Sequence, residues 1–206
     1  MVMVNIKRDY FLVTIIGFLV GLLVLIPAFN LGLKITIPIV LISVVGFSLF
    51  APLAFTILNF LSRWVPVFRQ FGKFAAAGTL NALIDLSILN LLIFVSGFAS
   101  GVFYALFKSI SFLLATTNSY LWNKFWTFES RLPVSGKEYI KFALFTLVGV
   151  IINVSVATSF VTFLGDGSKL AANIGALIGI FVALTWNFLS YRNVVFKTKE
   201  ALEISN

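Results

Sequence analysis

Gly78, Asn81 and Asp85 stand at i, i+3 and i+7, one face of a helix, inside an otherwise apolar stretch. Farther along, Lys108, Ser111, Ala115, Asn118 and Trp122 form a second stripe at helical spacing. Amides, a carboxylate and an ammonium in this pattern can hold a hydroxylated or anionic ligand, but they supply no nucleophile with its base. The chain has no His and no Cys. That removes the commonest general base and metal ligand, together with all thiolate and disulfide chemistry. Its seven carboxylates form no acidic dyad, and there is no P-loop. The expected chemistry is recognition and passage, with no catalytic residue, no metal, no cofactor and no enzyme activity.

The elements that must position these residues are membrane helices. Hydrophobic residues make up 60% of the 206 and charged residues 11%, and the mean hydropathy is +1.07, outside the range of soluble domains. About 20 apolar residues cross the ~30 Å hydrocarbon core as a helix, and the sequence predicts an all-α membrane protein of about six transmembrane helices. The first runs from Phe11 to Phe29 behind Lys7 and Arg8; it exceeds a signal-peptide core and no small-x-small cleavage site follows, so it is read as retained. The second covers 35–61 and contains Pro38 and Pro52, which predict a kink. Residues 63–73 alternate basic and aromatic side chains, a composition suited to the headgroup layer. The remaining spans are 74–94, 102–122, 140–164 and 170–189, with a polar loop at 123–139 and a turn at 165–169.

Lysine and arginine predict the topology. With both termini cytoplasmic, the inner segments hold Lys7, Arg8, Arg63, Arg69, Lys73, Lys124, Arg131, Lys137, Lys141, Arg192, Lys197 and Lys199, against Lys34 and Lys169 outside. That asymmetry places the protein in the cytoplasmic membrane as a multi-pass chain. The net charge of +8 then belongs to topology and contact with anionic lipid; nucleic acid is not an expected partner.

The stretch 110–128 returns in degraded form at 178–196. Lys73/Lys141, Ile110/Ile178, Ala115/Ala183, Thr117/Thr185, Leu121/Leu189 and Phe128/Phe196 all differ by 68, and Lys124/Arg192 is a conservative match at the same offset. The unit is a hairpin of two spans, and an even number of spans makes the last four helices a parallel repeat of two helical hairpins. Repeat 1 covers about 71–128 and repeat 2 about 139–196. They form a four-helix domain at 66–198, after a two-helix amino-terminal module at 1–65 and before a cytoplasmic tail at 199–206.

At ~1.5 Å per residue from the inner interface, Asn118 lies about 9 Å deep, Asn81 about 12, Asp85 about 18, Ser111 about 20 and Lys108 about 24. Asp85 and Lys108, about 6 Å apart in height, are within reach of a lysine stem. A charge at that depth costs about 2.5–3.5 kcal/mol even on lenient scales, so the two should pair and face protein or water. Such a pair serves either as a gate or substrate contact or as a register-fixing ion pair, and both readings stay open. Asn81 and Asn118 are read as interhelical glue or as part of the same path. Trp122, Trp126 and Trp186 suit an interfacial belt, with sugar stacking as the sharper alternative for a residue such as Trp126. Gly175 and Gly179 form a GxxxG that predicts close helix packing.

Phe74-Ala-Ala-Ala-Gly-Thr-Leu-Asn-Ala-Leu-Ile-Asp85, Asn118-Ser-Tyr-Leu-Trp-Asn-Lys-Phe-Trp-Thr-Phe128 and Trp186-Asn-Phe-Leu-Ser-Tyr-Arg-Asn-Val-Val-Phe196 together resemble the GtrA-like family. That family includes the membrane domain of some dolichol-phosphate mannose synthase relatives, and the resemblance covers roughly 66–198. It implies a four-helix protein that moves polyprenyl-phosphate-linked sugars from the cytoplasmic to the outer leaflet beside a glycosyltransferase partner. Two departures are the extra amino-terminal spans and the second ending, which lacks the Trp. On this reading Lys73, Lys124, Lys141 and Arg192 would meet the phosphate, while Asn81, Asp85, Lys108 and Asn118 would line the sugar path, with Trp126 beside it. The alternatives are a non-catalytic anchor or accessory subunit of a polyprenyl-phosphate glycosyltransferase and a small ion-coupled exporter. Lys108 weighs against the exporter, because a carboxylate held by a cation is a poor proton carrier. The oligomeric state, homo-oligomer included, is left open.

The absence of Cys makes the topology directly testable. Lys34→Cys should react with a membrane-impermeant maleimide on intact cells, and Lys137→Cys only after permeabilisation; the opposite pattern would invert the orientation.

Overall fold

The computed structural model describes residues 5–164 and 169–196. Part of the expected turn at 165–169 and the tail, with Lys197 and Lys199, lie outside the described residues. The described chain is helical without strands. It packs as two compact units, the first ending at Thr127 and the second beginning at Phe128.

The first unit holds α1 (Ile6–Leu23), α2 (Leu25–Asn30), α3 (Ile37–Leu61), α4 (Val67–Ser96), α5 (Gly101–Trp122) and a π-helical turn, π1 (Asn123–Thr127). Asn5 starts α1 by accepting the Arg8 N–H at 3.0 Å, a side-chain cap for an otherwise unpaired donor. The break between α1 and α2 follows from Pro27. That residue has no N–H to bond the Leu23 carbonyl, which instead accepts the Ser87 hydroxyl of α4 at 2.9 Å. Pro38 lies in the first turn of α3, where no N–H is needed. Pro52 lies inside α3, which continues through it. Pro66, at φ −53°, leads into α4. Helix therefore begins at Val67, and only 63–66 of the basic aromatic segment lies outside helix. Gly97 ends α4 at φ 75°, a left-handed conformation that glycine adopts without a Cβ penalty.

α1 packs on α3 and α4, α3 on α4, and α4 on α5. Val13, Ile16 and Val20 put one stripe of α1 into a core with Phe55, Ala77, Leu80 and Trp126. Close approach comes from glycine. A Cβ on Gly17 would lie 2.3 Å from the Phe47 carbonyl oxygen, and one on Gly21 would lie 2.7 Å from that of Ser43. Ser43 closes the contact by donating to the Gly21 carbonyl at 2.8 Å.

The second unit holds α6 (Gly136–Leu164), α7 (Lys169–Ser190) and π2 (Tyr191–Val195). The expected GxxxG packs α7 on α6. A Cβ on Gly175 would stand 2.9 Å from the Ala157 carbonyl oxygen, and one on Gly179 would stand 2.6 Å from that of Asn153. Phe128 stacks on Phe196 at 5.3 Å between centroids, and Phe142 meets Tyr191 at 4.3 Å.

Helix boundaries recur at the offset of the sequence repeat. α5 and α7 end at 122 and 190, and π1 and π2 span 123–127 and 191–195, each a step of 68. Among the described residues, five helical stretches are long and apolar enough to cross a bilayer: Ile6–Asn30, Ile37–Leu61, Val67–Ser96, Gly136–Phe163 and Ala171–Val195. α5 has the length, at 22 residues, but Lys108, Ser109, Ser111, Thr116, Thr117, Asn118 and Ser119 reduce its apolarity.

Gly21→Leu should drive α1 off α3 and destabilise the protein by about 1–3 kcal/mol, the range for overpacking a close contact. Gly46→Ala, where a Cβ meets nothing within 4 Å, should be neutral or mildly stabilising. Thermal melts in detergent compare the two.

Candidate functional site

Polar side chains pair rung by rung between α4 and α5. Asn118 donates to Asn81 Oδ1 at 2.5 Å. Deeper along the hairpin, Lys108 Nζ bonds Asp85 Oδ2 in an ion pair, and Ser111 donates to Asp85 Oδ1 at 2.6 Å. The sequence spacing predicts these partners, and the lysine stem spans the offset in height. Ser111 and Asn81 are buried, whereas the Lys108 and Asp85 side chains are 41% and 21% exposed. Asn81 Nδ2 is buried without a hydrogen-bond partner. One donor in the series is therefore available to a ligand.

A second polar cluster joins three elements at the end where α1 and α4 begin, and no spacing in the sequence connects its members. Asp9 of α1 is 3% exposed. Its Oδ2 accepts from Arg69 Nη2 at 2.5 Å and Arg69 Nε at 3.1 Å. Its Oδ1 lies 3.1 Å from Lys73 Nζ and accepts from Trp126 Nε1 at 2.9 Å. Lys73 also stands over the Trp126 ring, 5.9 Å from its centroid, and Trp122 meets that ring edge-on at 5.4 Å. Trp126 is thus an interior residue, not part of an interfacial belt. Its indole N–H and ring are both engaged by protein. Lys73 is buried in the same cluster. Lys124 is fully buried, 5.9 Å from the centroid of the Tyr120 ring. Neither lysine lies on an open surface.

The family described as GtrA/DPMS, transmembrane domain, matches residues 73–196, more than half of the chain. The chain belongs to the GtrA/DPMS transmembrane family. An uncharacterized membrane protein of Bacillus subtilis (strain 168), YngA, is 31% identical over 125 residues, which cover 55% of this chain and 75% of that protein. No solved structure matches.

Both hairpins of this GtrA/DPMS domain end in the same π turn, but their interiors differ. Asn153 and Gly179 occupy the repeat positions of Asp85 and Ser111, and there the helices touch directly, with a Gly179 Cβ only 2.6 Å from Asn153 Oδ1. Trp186, at the repeat position of Asn118, donates to the Phe145 carbonyl at 3.3 Å. Asn187 fills the space over Gly149, where a Cβ would lie 2.3 Å from its Oδ1. Lys141 is exposed and donates to the Val194 carbonyl at 3.1 Å, and Arg192 is also exposed. The ion pair of Asp85 and Lys108 in α4 and α5 thus has no counterpart at the repeat positions 153 and 176, which hold Asn153 and Ala176. Among those residues no group of His, Cys, Asp or Glu could hold a metal ion.

Two signals for the Asp9 cluster are present in the sequence. Asp9 is one of only seven carboxylates, and Trp126 is followed by polar loop rather than by a second span. Nothing in the spacing connects positions 117 apart. Asp9→Ala should leave Arg69 and Lys73 without their shared carboxylate and cost about 3–5 kcal/mol, the range for breaking a buried pair. Arg63→Ala, on an exposed side chain, should cost under ~1 kcal/mol by the same denaturation assay.

Proposed function

We propose that the protein translocates a polyprenyl-phosphate-linked sugar across the cytoplasmic membrane, for cell-surface glycan synthesis or modification, with both termini cytoplasmic. The observation that carries this reading is the bonded polar series Asn81–Asn118 and Asp85–Ser111–Lys108 inside a hairpin of bilayer length. A series made only to fix helix register would be expected to close on itself. Here Asn81 Nδ2 has no partner and Lys108 is partly exposed. A sugar offers hydroxyls that both donate and accept, so it can replace water at each rung. The apolar tail stays in lipid throughout, and only the polar head requires a path. Lys141 and Arg192, exposed at the base of the second unit, meet anionic lipid. Lys73, Lys124 and Trp126 support the hairpin from within. Family membership supports the same reading.

A second reading, an accessory subunit of a polyprenyl-phosphate glycosyltransferase, is favoured by one surface. Trp64 is 66% exposed beside Arg63, at the turn between α3 and α4, a composition suited to docking on an interfacial enzyme. Loss of sugar transfer on the cytoplasmic side after Trp64→Ala, before any translocation, would support this second reading.

The decisive variant is the exchange Asp85→Lys with Lys108→Asp. An ion pair that only fixes register survives the exchange, so thermal stability should stay close to that of the parent. A substrate path does not survive it. Delivery of a labelled polyprenyl-phospho-sugar to the outer leaflet of proteoliposomes should fall by about tenfold or more, the effect of losing ~1.4 kcal/mol at the rate-limiting barrier. Unimpaired delivery by the folded exchange variant would reject the path.

A further inference from the structure

A cavity of about 150 Å³ opens among α1, α3 and α4 in the first unit, on the side of α4 that carries Gly72, Ala75, Ala76 and Thr79. The opposing walls are Ile16, Gly17 and Val20 of α1 and the α3 stripe Phe47, Phe50, Ala51, Ala54, Phe55 and Leu58. All are apolar except Thr79, whose hydroxyl turns back to the Ala75 carbonyl at 3.0 Å and leaves its methyl to the groove. Ala51 and Ala54 on α3 face Ala75 and Ala76 on α4 across the space, while Gly17 sets how closely α1 approaches α3. Phe55 is fixed from behind, edge-on to Tyr10 at 5.3 Å, and Tyr10 is in turn bonded to Thr56 at 3.1 Å. The groove is therefore built, rather than left by poor packing.

Its position along α4 gives it a direction. Arg69 precedes Gly72 by three residues, one turn on the same face, and the stripe then continues through Ala76 to Thr79. One end of the groove thus abuts the cluster of Arg69, Lys73 and Asp9, which carries two cations against one carboxylate and keeps a net positive charge. Arg69 is 16% exposed. From Gly72 to Thr79 the groove rises about 10 Å along the helix. An apolar groove with a cationic end, inside a bilayer, fits the chain of an anionic lipid, with the head at Arg69 and the first carbons against Gly72.

Volume selects the kind of chain. A dry apolar cavity of about 150 Å³ accepts a six-carbon ring, so this groove takes one five-carbon branched unit comfortably. A linear methylene chain leaves the side facing Ala51 and Ala54 unfilled, and unfilled apolar volume forfeits dispersion contacts. We infer that the groove among α1, α3 and α4 binds the isoprene unit next to the phosphate of a polyprenyl phosphate, with Arg69 at the phosphate end. This inference rests on the proposed function. It gives the two extra amino-terminal helices a role, since α1 and α3 form two of the three walls, and it separates the site that holds the lipid from the path of its sugar along α4 and α5.

The test uses the full chain in phosphatidylcholine nanodiscs with two soluble probes, farnesyl phosphate and dodecyl phosphate. Farnesyl phosphate should bind, dodecyl phosphate should bind roughly tenfold more weakly, and Ala75→Leu, which fills the groove, should weaken farnesyl phosphate by about tenfold. Equal affinity for the two probes would overturn the isoprenoid assignment. Because Ala75→Leu can disturb packing, a diazirine-bearing farnesyl phosphate on the unmodified protein supplies an independent readout. Its photoadducts should map to 16–20, 47–58 and 72–79, and adducts confined to other segments would overturn the site. If the parent protein binds the probe in the groove but delivers no sugar, the translocation reading fails and the groove stands; if delivery is intact and the groove does not bind, the groove alone fails.

Discussion

One carboxylate in the protein interior organises the first unit. Asp9 takes four donors, from Arg69, Lys73 and Trp126, and each of those residues depends on it. Removing a charge from such a set leaves its partners ionised in a medium that cannot solvate them, which is why buried pairs are costly to break even where they add little net stability when intact. The cluster ties the start of α1 to the start of α4 and to the π turn after α5. Phe55, Ala77 and Leu80 pack around the same Trp126. The N–H groups and rings that an isolated hairpin would present to the headgroup layer are here engaged by an element outside the repeat.

The two hairpins show two solutions to one problem, how to hold paired helices together where no hydrophobic effect acts between them. In α6 and α7 the solution is proximity, with Gly175, Gly179 and Gly149 admitting neighbouring atoms to distances that any Cβ would forbid. In α4 and α5 it is polarity, with amides and charges bonded at matched heights. The two hairpins share the π turn at their ends and differ in what holds their interiors together.

Much of this was legible from residue types at helical spacing. The pairing of Asp85 with Lys108 and the similar heights of Asn81 and Asn118 follow from one constraint, the ~1.5 Å rise, which relates position to height on both helices, whereas a Cβ on Gly78 of the same stripe would meet nothing within 4 Å. The offset of 68 read from residue matches also separates the two π turns, 123–127 and 191–195. Contacts between elements distant in sequence were not legible. Asp9 beside Lys7 and Arg8 reads as an interfacial residue, and Lys73, Lys124 and Trp126 read as an interface that the fold instead buries. Gly17 and Gly21 repeat the spacing of Gly175 and Gly179, so that close approach was available to the same rule. The groove depends on three helices at once and has no one-dimensional signature.

The reduced apolarity of α5 bears on how the chain enters the membrane. A segment that carries Lys108 within the hydrocarbon is poorly retained by hydrocarbon alone, since the insertion cost of one lysine offsets several leucines. Only residues 97–100 separate α4 from α5, too short a link for the two to partition independently. They must pass from the insertion machinery into lipid as a preformed pair, with Asp85 neutralising Lys108 before either meets an acyl chain. Selection on these two residues during biogenesis is then inseparable from selection on what they do afterwards.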